Sequence, residues 1–525
     1  MEQIPVIDLF AGPGGLGEGF NYQPEEGREI NFKVKLSIEK EENAHQSLTL
    51  RSFFRQFLPD DVPKEYYDFL RGNITRDELF GLYQPEAIEA QKDAYKAELG
   101  KVPAELVDEK VRSALGNYKD KWVLVGGPPC QAYSLVGRSR NQGINPDDER
   151  VYLYREYYRL LAVHNPAVFI MENVKGLLSA RVEKRKIFDQ ILIDLSDPVA
   201  AYEKLHGNQS VTFQCPGYRI FSLVRKPRYP SRTDGFDEPP LPENHRDFII
   251  QAEKYGIPQT RHRVILLGIR KDIDTEIEPE ILEEEEPVPI SRILKDLPML
   301  RSGLSRKDSA ESWVNAVKQF DDRNLNHSNN NGLKEKLQHT IANLCEPGGD
   351  RGNEFIRYPV DVGYQKNWYL DKRLDGVCNH TTRGHIAADL HRYLFASCFA
   401  QVNNRSPKLE DFPLELLPNH KNINQNNRSN TKFADRFRVQ LWDEPAKTIT
   451  SHISKDGHYF IHPDSSQCRS FTVREAARIQ TFPDNYFFCG GRTAQYVQVG
   501  NAVPPLLSYK ISQIVAGIFK RILMT

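Results

Sequence analysis

A cysteine stands directly after a predicted buried strand in the stretch GGPPCQAYS, residues 126–134. The run that leads into it, WVLVGG, is continuously apolar, as is typical of strands buried on both faces. Ligands of open α/β sheets bind at the carboxyl ends of the strands, which is where Cys130 falls. Backbone N–H groups at such a turn stabilise a thiolate, so this context favours a nucleophile over an inert buried cysteine.

Two further groups are expected at the same edge of the sheet. Glu172 follows the apolar run AVFIM, where partial burial favours a carboxyl that shares or donates a proton. In YGIPQTRHRVILLG, alternation puts Gln259, Arg261 and Arg263 on one face of a strand. Two arginines that enter a core need acceptors, such as a phosphate, a carboxylate or a base carbonyl.

A glycine-rich turn follows the first predicted strand. The stretch DLFAGPGGLGEGF, residues 8–20, contains G-x-G-x-x-G at Gly12, Gly14 and Gly17, which is the dinucleotide-binding fingerprint. Glycines permit a tight turn and a close ligand approach, and neither property is specific to nicotinamide. The turn alone therefore leaves its ligand open, and a nicotinamide-dependent oxidoreductase is one interpretation.

These residues must be positioned by the alternation of strand-like and helix-like segments over residues 1–270. Apolar runs predict buried parallel strands, and the polar amphipathic stretches 85–118 and 151–164 predict helices. The alternation predicts a doubly wound α/β sheet. The predicted strands are residues 5–10, 33–39, 122–127, 167–172, 247–252 and 263–269.

Two further domains are expected after this first one. Residues 271–465 are polar, loop-rich and rich in asparagine. Trp313 and Trp368 can nevertheless form part of a hydrophobic core, which favours a second, irregular domain over disorder. Residues 466–525 become regular again, and we expect them to return to the first domain. The acidic run at 276–287 predicts an exposed linker between the two.

The overall composition limits which kinds of partner the chain can have. With 39% hydrophobic and 27% charged residues, the chain has the composition of a soluble globular protein. It has no apolar run near the roughly 18 residues of a membrane span and no signal peptide, so a cytoplasmic location without a membrane partner is expected. Because the net charge is −1, contacts with nucleic acid must come from local basic patches, such as 181–186 and 218–232.

Metal binding and disulfides are not expected. The seven cysteines lack the close, even spacing of a disulfide framework. Cys378, His380, His385 and His391 are the nearest approach to a zinc site, but their irregular spacing favours locally bonded histidines.

The chemistry-bearing stretches together resemble the DNA cytosine-5 methyltransferases, whose cofactor is S-adenosylmethionine. DLFAGPGGLGEGF resembles the first motif of that family, GGPPCQAYS its catalytic-cysteine motif, MENV its Glu-Asn-Val motif and QTRHR its Gln-x-Arg-x-Arg motif. TVREAARIQTFPD (472–484) and VQVGNAVPP (497–505) resemble the last two, in the order of the family. The resemblance implies a Rossmann-like methyltransferase domain with a second, target-recognition domain. Relative to the family, residues 76–121 and about 215–245 are insertions.

The resemblance also implies a cofactor site. The glycine turn is implied to hold the methionine and ribose, Phe10 to pack on the adenine, and Glu39 to bind the ribose hydroxyls. The third motif of the family is usually Gly-Asp-Ile, and its nearest match is GNIT, with Asn73 where aspartate is expected. The implied cofactor-binding residues are Phe10, Gly12, Gly14, Gly15, Glu39, Asn73, Pro128 and Asn501.

The mechanism implied by the resemblance begins with a flipped cytosine, whose C6 the Cys130 thiolate attacks so that C5 can take the methyl group. Glu172 is implied to hold N3 and the exocyclic amine, and Arg263 the base carbonyl. Arg261 is implied to support the thiolate and a nearby phosphate. The implied substrate contacts are Gln131, Ser134, Arg138 and Gln259.

The expected partner is double-stranded DNA, bound by a monomer that pairs functionally with a restriction endonuclease. A methyltransferase of the same fold acting on transfer RNA is an alternative, but the sizeable variable domain favours duplex DNA. A catalytically silent DNA-binding relative is a second alternative, which the presence of Cys130, Glu172 and both arginines disfavours. The oxidoreductase interpretation rests on the glycine turn alone.

Overall fold

The computed structural model describes residues 2–23, 29–118, 120–129, 153–182, 185–206, 213–226, 244–273, 276–321, 331–418 and 433–524. The chain forms two compact units. The first unit comprises Met1–Asp61, Tyr83–Glu286 and Ala502–Thr525, and the second comprises Val62–Leu82 and Pro287–Asn501.

Strands and helices are numbered here in chain order over the described residues. The strands are β1 (Glu2–Leu9), β2 (Ile30–Glu39), β3 (Ala94–Lys96), β4 (Val123–Gly126), β5 (Val168–Val174), β6 (Arg181–Val182), β7 (Arg185–Lys186), β8 (Tyr218–Phe221), β9 (Ile249–Gln251), β10 (Gln259–Thr260), β11 (His262–Arg270), β12 (Gly303–Leu304), β13 (Gly352–Ile356), β14 (Val377–Thr381), β15 (Gly384–His385) and β16 (Ala446–Lys447). The helices are α1 (Gly15–Asn21), α2 (Glu42–Phe54), α3 (Lys64–Leu70), α4 (Arg76–Leu82), α5 (Gln84–Asp93), α6 (Ala104–Leu115), α7 (Tyr154–His164), α8 (Ile187–Ser196), α9 (Pro198–Leu205), α10 (Ser291–Leu294), α11 (Ala310–Lys318), α12 (Asn331–Ala342), α13 (Lys366–Tyr369), α14 (Ala387–Asn403), α15 (Val473–Ile479), α16 (Arg492–Asn501) and α17 (Pro505–Met524).

One central sheet organises the first unit, with strand order β3-β2-β1-β4-β5-β11-β8 and β9 paired with β11. The strands from β3 to β5 run parallel. The chain reverses its direction of travel across the sheet between β3 and β4, so the switch point lies between the carboxyl ends of β1 and β4, where ligands bind in such sheets. The predicted doubly wound α/β fold is confirmed.

Strand β11 departs from the expected direction. The apolar run RVILLGI predicted a buried parallel strand, but β11 runs antiparallel to β5, β8 and β9. That part of the prediction is wrong because a continuous apolar run reports burial on both faces and carries no information about strand direction. All six predicted strands are present, whereas the short strands β3 and β8 were not predicted.

Helix α17 closes the first unit against α1. A Cβ atom at Gly19 would lie 2.3 Å from the carbonyl oxygen of Pro505, so only glycine permits this approach of α1 to α17. Among the described residues, one stretch, Arg492–Met524, is long and apolar enough to cross a membrane by composition, and 72% of its most apolar part is buried inside the protein. Such burial is typical of a core helix.

The second unit has a hydrophobic core of its own around α11, α12 and α14. Both tryptophans expected to be buried are buried: Trp313 Nε1 donates to Ser302 Oγ at 3.0 Å and Trp368 Nε1 donates to the carbonyl oxygen of Thr481 at 2.7 Å. Two segments that the sequence analysis assigned to other domains belong to this unit. One is 62–82, and the other is 466–501, whose helix α15 is entirely buried.

The acidic stretch 276–287 differs from the exposed linker that was expected. Ile277 and Leu282 are buried, and the Leu282 N–H donates to the carbonyl oxygen of Leu223 at 2.8 Å. Its glutamates face solvent while its apolar side chains pack into the first unit. The alternating pattern therefore belongs to a segment bound along the surface, and the charge run marks only its outer side.

Candidate active site

The glycine turn is built by left-handed backbone between β1 and α1. Phe10, Gly12 and Gly14 have φ angles of 54°, 57° and 84°, a region that glycine enters without strain. Gly14 caps α1, and its N–H donates to the carbonyl oxygen of Ala11 at 2.8 Å. A Cβ atom at Gly15 would lie 2.2 Å from the carbonyl oxygen of Val503, so close packing of the chain itself requires glycine there.

Glu39 at the end of β2 joins this turn to the sheet. One carboxylate oxygen accepts the N–H of Gly12 at 2.8 Å, and the other accepts the N–H groups of Lys40 and Glu41 at 2.9 and 2.8 Å. Phe10 packs, partly buried, against the core of the same unit. The structure therefore brings together three of the residues predicted for a cofactor, Phe10, Gly12 and Glu39.

The structure differs from the sequence-based expectation at Asn73. GNIT follows helix α3 instead of a strand, and Asn73 is exposed in the second unit, where its Nδ2 donates to Asp68 Oδ1 at 3.3 Å. The strand next to β2 is β3, so the acid at this edge of the sheet is Glu98. The family resemblance did not indicate Glu98. The signal that could have found it is its place in AYKAELG, two residues after the end of the short strand β3.

A cleft of about 450 Å³ opens beside Glu98, and its lining residues are Lys40, Glu41, Lys96, Ala97, Glu98 and Val102. The Ala97 N–H donates to the carbonyl oxygen of Glu39 at 3.1 Å, which ties this lining to the end of β2. Lys40 Nζ lies 3.1 Å from Glu98 Oε1. The cleft thus lies at the carboxyl ends of β2 and β3, beside the glycine turn.

Asp8 is a buried carboxyl beneath the turn that the sequence did not single out. Its Oδ2 accepts the N–H of Gly17 at 3.2 Å, and its Oδ1 has no hydrogen-bond partner among the described residues. Burial raises the pKa of Asp8 to about 7, although the Gly17 N–H and the Arg55 charge act in the opposite direction. The first turn of α1 is therefore held by a group that titrates near neutral pH.

A buried ion triad lies on the next turn of α1. Glu18 accepts bonds from Arg51 Nε at 2.9 Å and from Arg55 Nη2 at 2.6 Å. Burial alone would raise the pKa of Glu18, but Arg51 and then Arg55 lower it to about 2. The triad fixes α1 to α2 and so positions the turn from below.

The candidate catalytic edge is formed by β5 and its antiparallel neighbour β11. Arg263 Nε lies 2.9 Å from Glu172 Oε1, and both side chains are largely buried, at 16% and 13% exposure. Burial lowers the pKa of Arg263, and the charge of Glu172 raises it. The predicted carboxyl and arginine are thus an ion pair at the end of β5.

The residue that follows β4, Gly127, lies next to this ion pair. A Cβ atom at Gly127 would lie 3.0 Å from Glu172 Oε2, and Asn173 Nδ2 donates to the carbonyl oxygen of Pro128 at 3.4 Å. Asn173 lies in the Glu-Asn-Val stretch, and the sequence analysis assigned it no role; the structure shows that it positions the turn that leads to the predicted nucleophile. Four predicted residues lie outside the described part of the chain: Cys130, Gln131, Ser134 and Arg138.

Gln259 and Arg261 are buried next to this pair, at 0% and 2% exposure. Burial lowers the pKa of Arg261, the charge of Arg263 lowers it further, and Glu172 raises it. The predicted arginine pair is thus close enough to interact. Asn501 is exposed at the end of α16 in the second unit.

The histidines near Cys378 have local partners. His380 contacts Thr472 Oγ1 at 2.8 Å and the carbonyl oxygen of Pro298 at 3.2 Å, and His391 Nε2 contacts the carbonyl oxygen of Ala316 at 2.8 Å. Within the described ranges, no group of three or more histidine, cysteine or acidic side chains is placed to hold a metal ion.

The chain is similar to known methyltransferases over most of its length. The family model for C-5 cytosine-specific DNA methylases matches residues 81–199 and 247–516. The type II methyltransferase M.Bpa9945I of Bacillus paralicheniformis is 31% identical, with 98% of each chain covered. M.DdeI of Desulfomicrobium norvegicum is 25% identical over 98% of this chain and 89% of its own, and M.AgeI of Thalassovita gelatinovora is 25% identical over 97% and 98%.

Proposed function

Since the chain belongs to the C-5 cytosine-specific DNA methylase family and is a DNA cytosine-5-methyltransferase of the restriction–modification type, we propose that it acts on a flipped cytosine through a covalent Cys130 adduct. The observation that carries this proposal is the Glu172–Arg263 pair, which lies beside Gly127, three residues before Cys130. A stacked cytosine is out of reach of such a recessed pair, so the base must leave the duplex at a cost of a few kcal/mol.

The pair suits the edge of a cytosine ring. Glu172 accepts a hydrogen bond from the exocyclic amine. In its protonated form it donates its proton to N3, which neutralises the negative charge that develops there when the Cys130 thiolate adds to C6. Arg263 uses Nε for Glu172 and Nη1 for the carbonyl oxygen of His262, which leaves Nη2 for the base carbonyl. We assign to Arg261 the support of the thiolate and of a nearby phosphate, through its positive charge. After methylation at C5, water takes up the C5 proton, N3 returns its proton to Glu172, and elimination of the Cys130 thiolate restores the aromatic ring.

The residues at the carboxyl ends of β2 and β3 fit S-adenosylmethionine, which supplies an electrophilic methyl group when bound. Glu39 has both oxygens fixed by backbone N–H groups and can still accept from a ribose hydroxyl. Glu98 takes the adenine-side role that the motif match gave to Asn73, because it follows the strand next to β2. The further cofactor contacts that we propose are Phe10, Gly12, Gly14, Gly15, Pro128 and Asn501.

The second unit reads the sequence of duplex DNA in this proposal, and the enzyme acts in the cytoplasm as a monomer that protects DNA from a cognate restriction endonuclease. Substrate contacts come from Gln131, Ser134, Arg138 and Gln259. What supports DNA over transfer RNA is the size of the second unit, since reading a duplex requires base-edge contacts from a variable surface.

Single-turnover methyl transfer to duplex DNA tests the roles of Cys130 and Glu172. We expect Cys130→Ser to abolish transfer and Glu172→Gln to lower its rate about 100-fold or more, as for loss of an electrostatic group in a transition state. Cofactor affinity should stay within about threefold in both variants. The exposed Cys345 supplies the matched control, Cys345→Ser, which should transfer at the wild-type rate. Wild-type transfer by Cys130→Ser would refute the covalent mechanism.

A further inference from the structure

Two arginines of the second unit converge on one backbone oxygen. Arg492 Nη1 donates to the carbonyl oxygen of Thr382 at 2.7 Å, and Arg351 Nη2 donates to the same oxygen at 3.2 Å. The next residue in the chain, Arg383, stacks its guanidinium on the ring of Tyr496, 4.6 Å from the centroid, one helical turn beyond Arg492. A neutral carbonyl carries only a partial negative charge and cannot neutralise two guanidinium groups.

The positive charge of this arginine cluster, Arg351, Arg383 and Arg492, is only partly neutralised. Arg351 pairs with Asp308 at 3.0 Å. In the described part of the chain, neither Arg383 nor Arg492 has a carboxylate within 4.0 Å. The acid that faces Arg492 is Glu354, whose Oε2 is bonded by two neutral amides, Asn379 Nδ2 at 2.8 Å and Gln495 Nε2 at 3.1 Å.

The pKa values of two side chains, Arg492 and His385, are lowered in part by this excess of positive charge. Burial lowers the pKa of Arg492, Tyr496 raises it, and Arg383 and Arg351 lower it further. Burial also lowers the pKa of His385 well below its usual range, with Arg383, His458 and Arg492 acting in the same direction. His385 Nε2 and Arg383 Nε are buried, and neither has a hydrogen-bond partner among the described residues. An anion is the ligand that such surroundings favour.

The cluster is open to solvent on the side of α16. Arg492 is partly exposed at the first residue of this ten-residue helix, and its neighbours Gly491 and Thr493 are exposed. A Cβ atom at Gly491 would meet nothing within 4 Å, so the backbone next to Arg492 borders open space. The side chain of Arg351 is 33% exposed. The unpaired N–H groups of the first helical turn add to the positive potential at the same place.

We propose that Arg351, Arg383 and Arg492 form a phosphodiester-binding site through which the second unit holds the DNA backbone. The inference rests on the proposed function only in taking duplex DNA as the ligand. Guanidinium groups match phosphate oxygens in geometry and charge, and backbone contacts orient a duplex without reading its sequence. Arg492 and Arg351 contact the phosphate, and Arg383 lies behind them and adds charge.

The test is duplex affinity measured by fluorescence anisotropy over a range of salt concentrations. Arg492→Gln removes the charge but keeps a side-chain donor for Thr382, so the fold should persist, with a Tm within about 2 °C of wild type. We expect about tenfold weaker binding on two unrelated duplexes, and a slope of log affinity against log salt that is smaller by about 1. Arg492→Lys should restore most of the loss. Arg357→Gln is the matched control, since Arg357 is a 73% exposed arginine of the same unit.

Two results would overturn the phosphodiester site, and a third would overturn the proposed function. An unchanged affinity and salt slope in a folded Arg492→Gln variant would overturn the phosphodiester site. A loss confined to one duplex sequence would also overturn it, because it would make Arg492 a base reader. Failure of the wild-type protein to bind any duplex would overturn the proposed function itself, independently of the variant.

Discussion

Replacing Asp8 by asparagine should remove a pH dependence from the stability of the first unit. Asp8 is fully buried under the glycine turn, and its pKa is about 7 in the folded protein against an ordinary value of 3.8. Between those values the folded state keeps a proton that the unfolded state has lost. The wild-type protein is therefore most stable with respect to this group below pH 3.8, and it loses stability as the pH rises through 7.

The size of the effect follows from these two pKa values. At about 1.4 kcal/mol for each pKa unit, the full cost of ionising Asp8 in the folded protein is about 4 kcal/mol. About 3 kcal/mol of this cost falls between pH 5 and pH 8. Asparagine keeps an oxygen that can accept from the Gly17 N–H and never ionises, so Asp8→Asn should not incur this cost.

Urea unfolding at pH 5 and pH 8 measures this difference. We expect the free energy of unfolding of Asp8→Asn, taken relative to wild type, to be higher at pH 8 than at pH 5 by about 3 kcal/mol. Asp60→Asn, which removes an exposed carboxyl, should leave the relative value unchanged to within about 0.5 kcal/mol. A relative free energy that is equal at both pH values for Asp8→Asn would refute the account of this carboxyl.

Three further substitutions test the site. Gly15→Ala puts a Cβ atom 2.2 Å from the carbonyl oxygen of Val503, so we expect at least tenfold weaker S-adenosylmethionine binding by calorimetry, and wild-type affinity would contradict the packing argument. Glu18→Gln leaves two buried arginines without their carboxylate, and its urea midpoint at pH 7 should correspond to a loss of about 3–5 kcal/mol; a loss below about 1 kcal/mol would count against the triad. Arg263→Lys cannot pair with Glu172 through Nε, so the rate of single-turnover transfer should fall about 100-fold. The affinity for duplex DNA should stay within about threefold of wild type. An equal fall in rate and affinity would make Arg263 a binding residue only.

Several parts of the fold were predictable from local patterns. The runs that form β1, β4 and β5 are apolar on both faces because the sheet is covered on both sides. Their positions, and the edge that carries the candidate site, could therefore be predicted from the sequence. The pairing of Glu172 with Arg263 was predicted only as proximity, since the register that joins them depends on the antiparallel direction of β11.

Other parts depend on contacts distant in sequence. GNIT matched the letters of a motif, but the acid beside β2 is Glu98, because strand pairing across the sheet and not local sequence decides which residue reaches that edge. Strand β3 has only three residues, which is too short for a periodic pattern. The roles of Asp8 and of the arginine cluster could not be predicted from residue spacing, because they depend on burial and on neighbours brought together by the tertiary fold.

Identification of the methylated nucleoside tests the proposed reaction. The wild-type protein is incubated with labelled S-adenosylmethionine and either duplex DNA from several genomes or transfer RNA, and the nucleic acid is then digested to nucleosides. We expect label in 5-methylcytosine from DNA alone, lost in Cys130→Ser and retained in Cys345→Ser. Label only in RNA, or on an exocyclic amine of a DNA base, would contradict the proposed reaction.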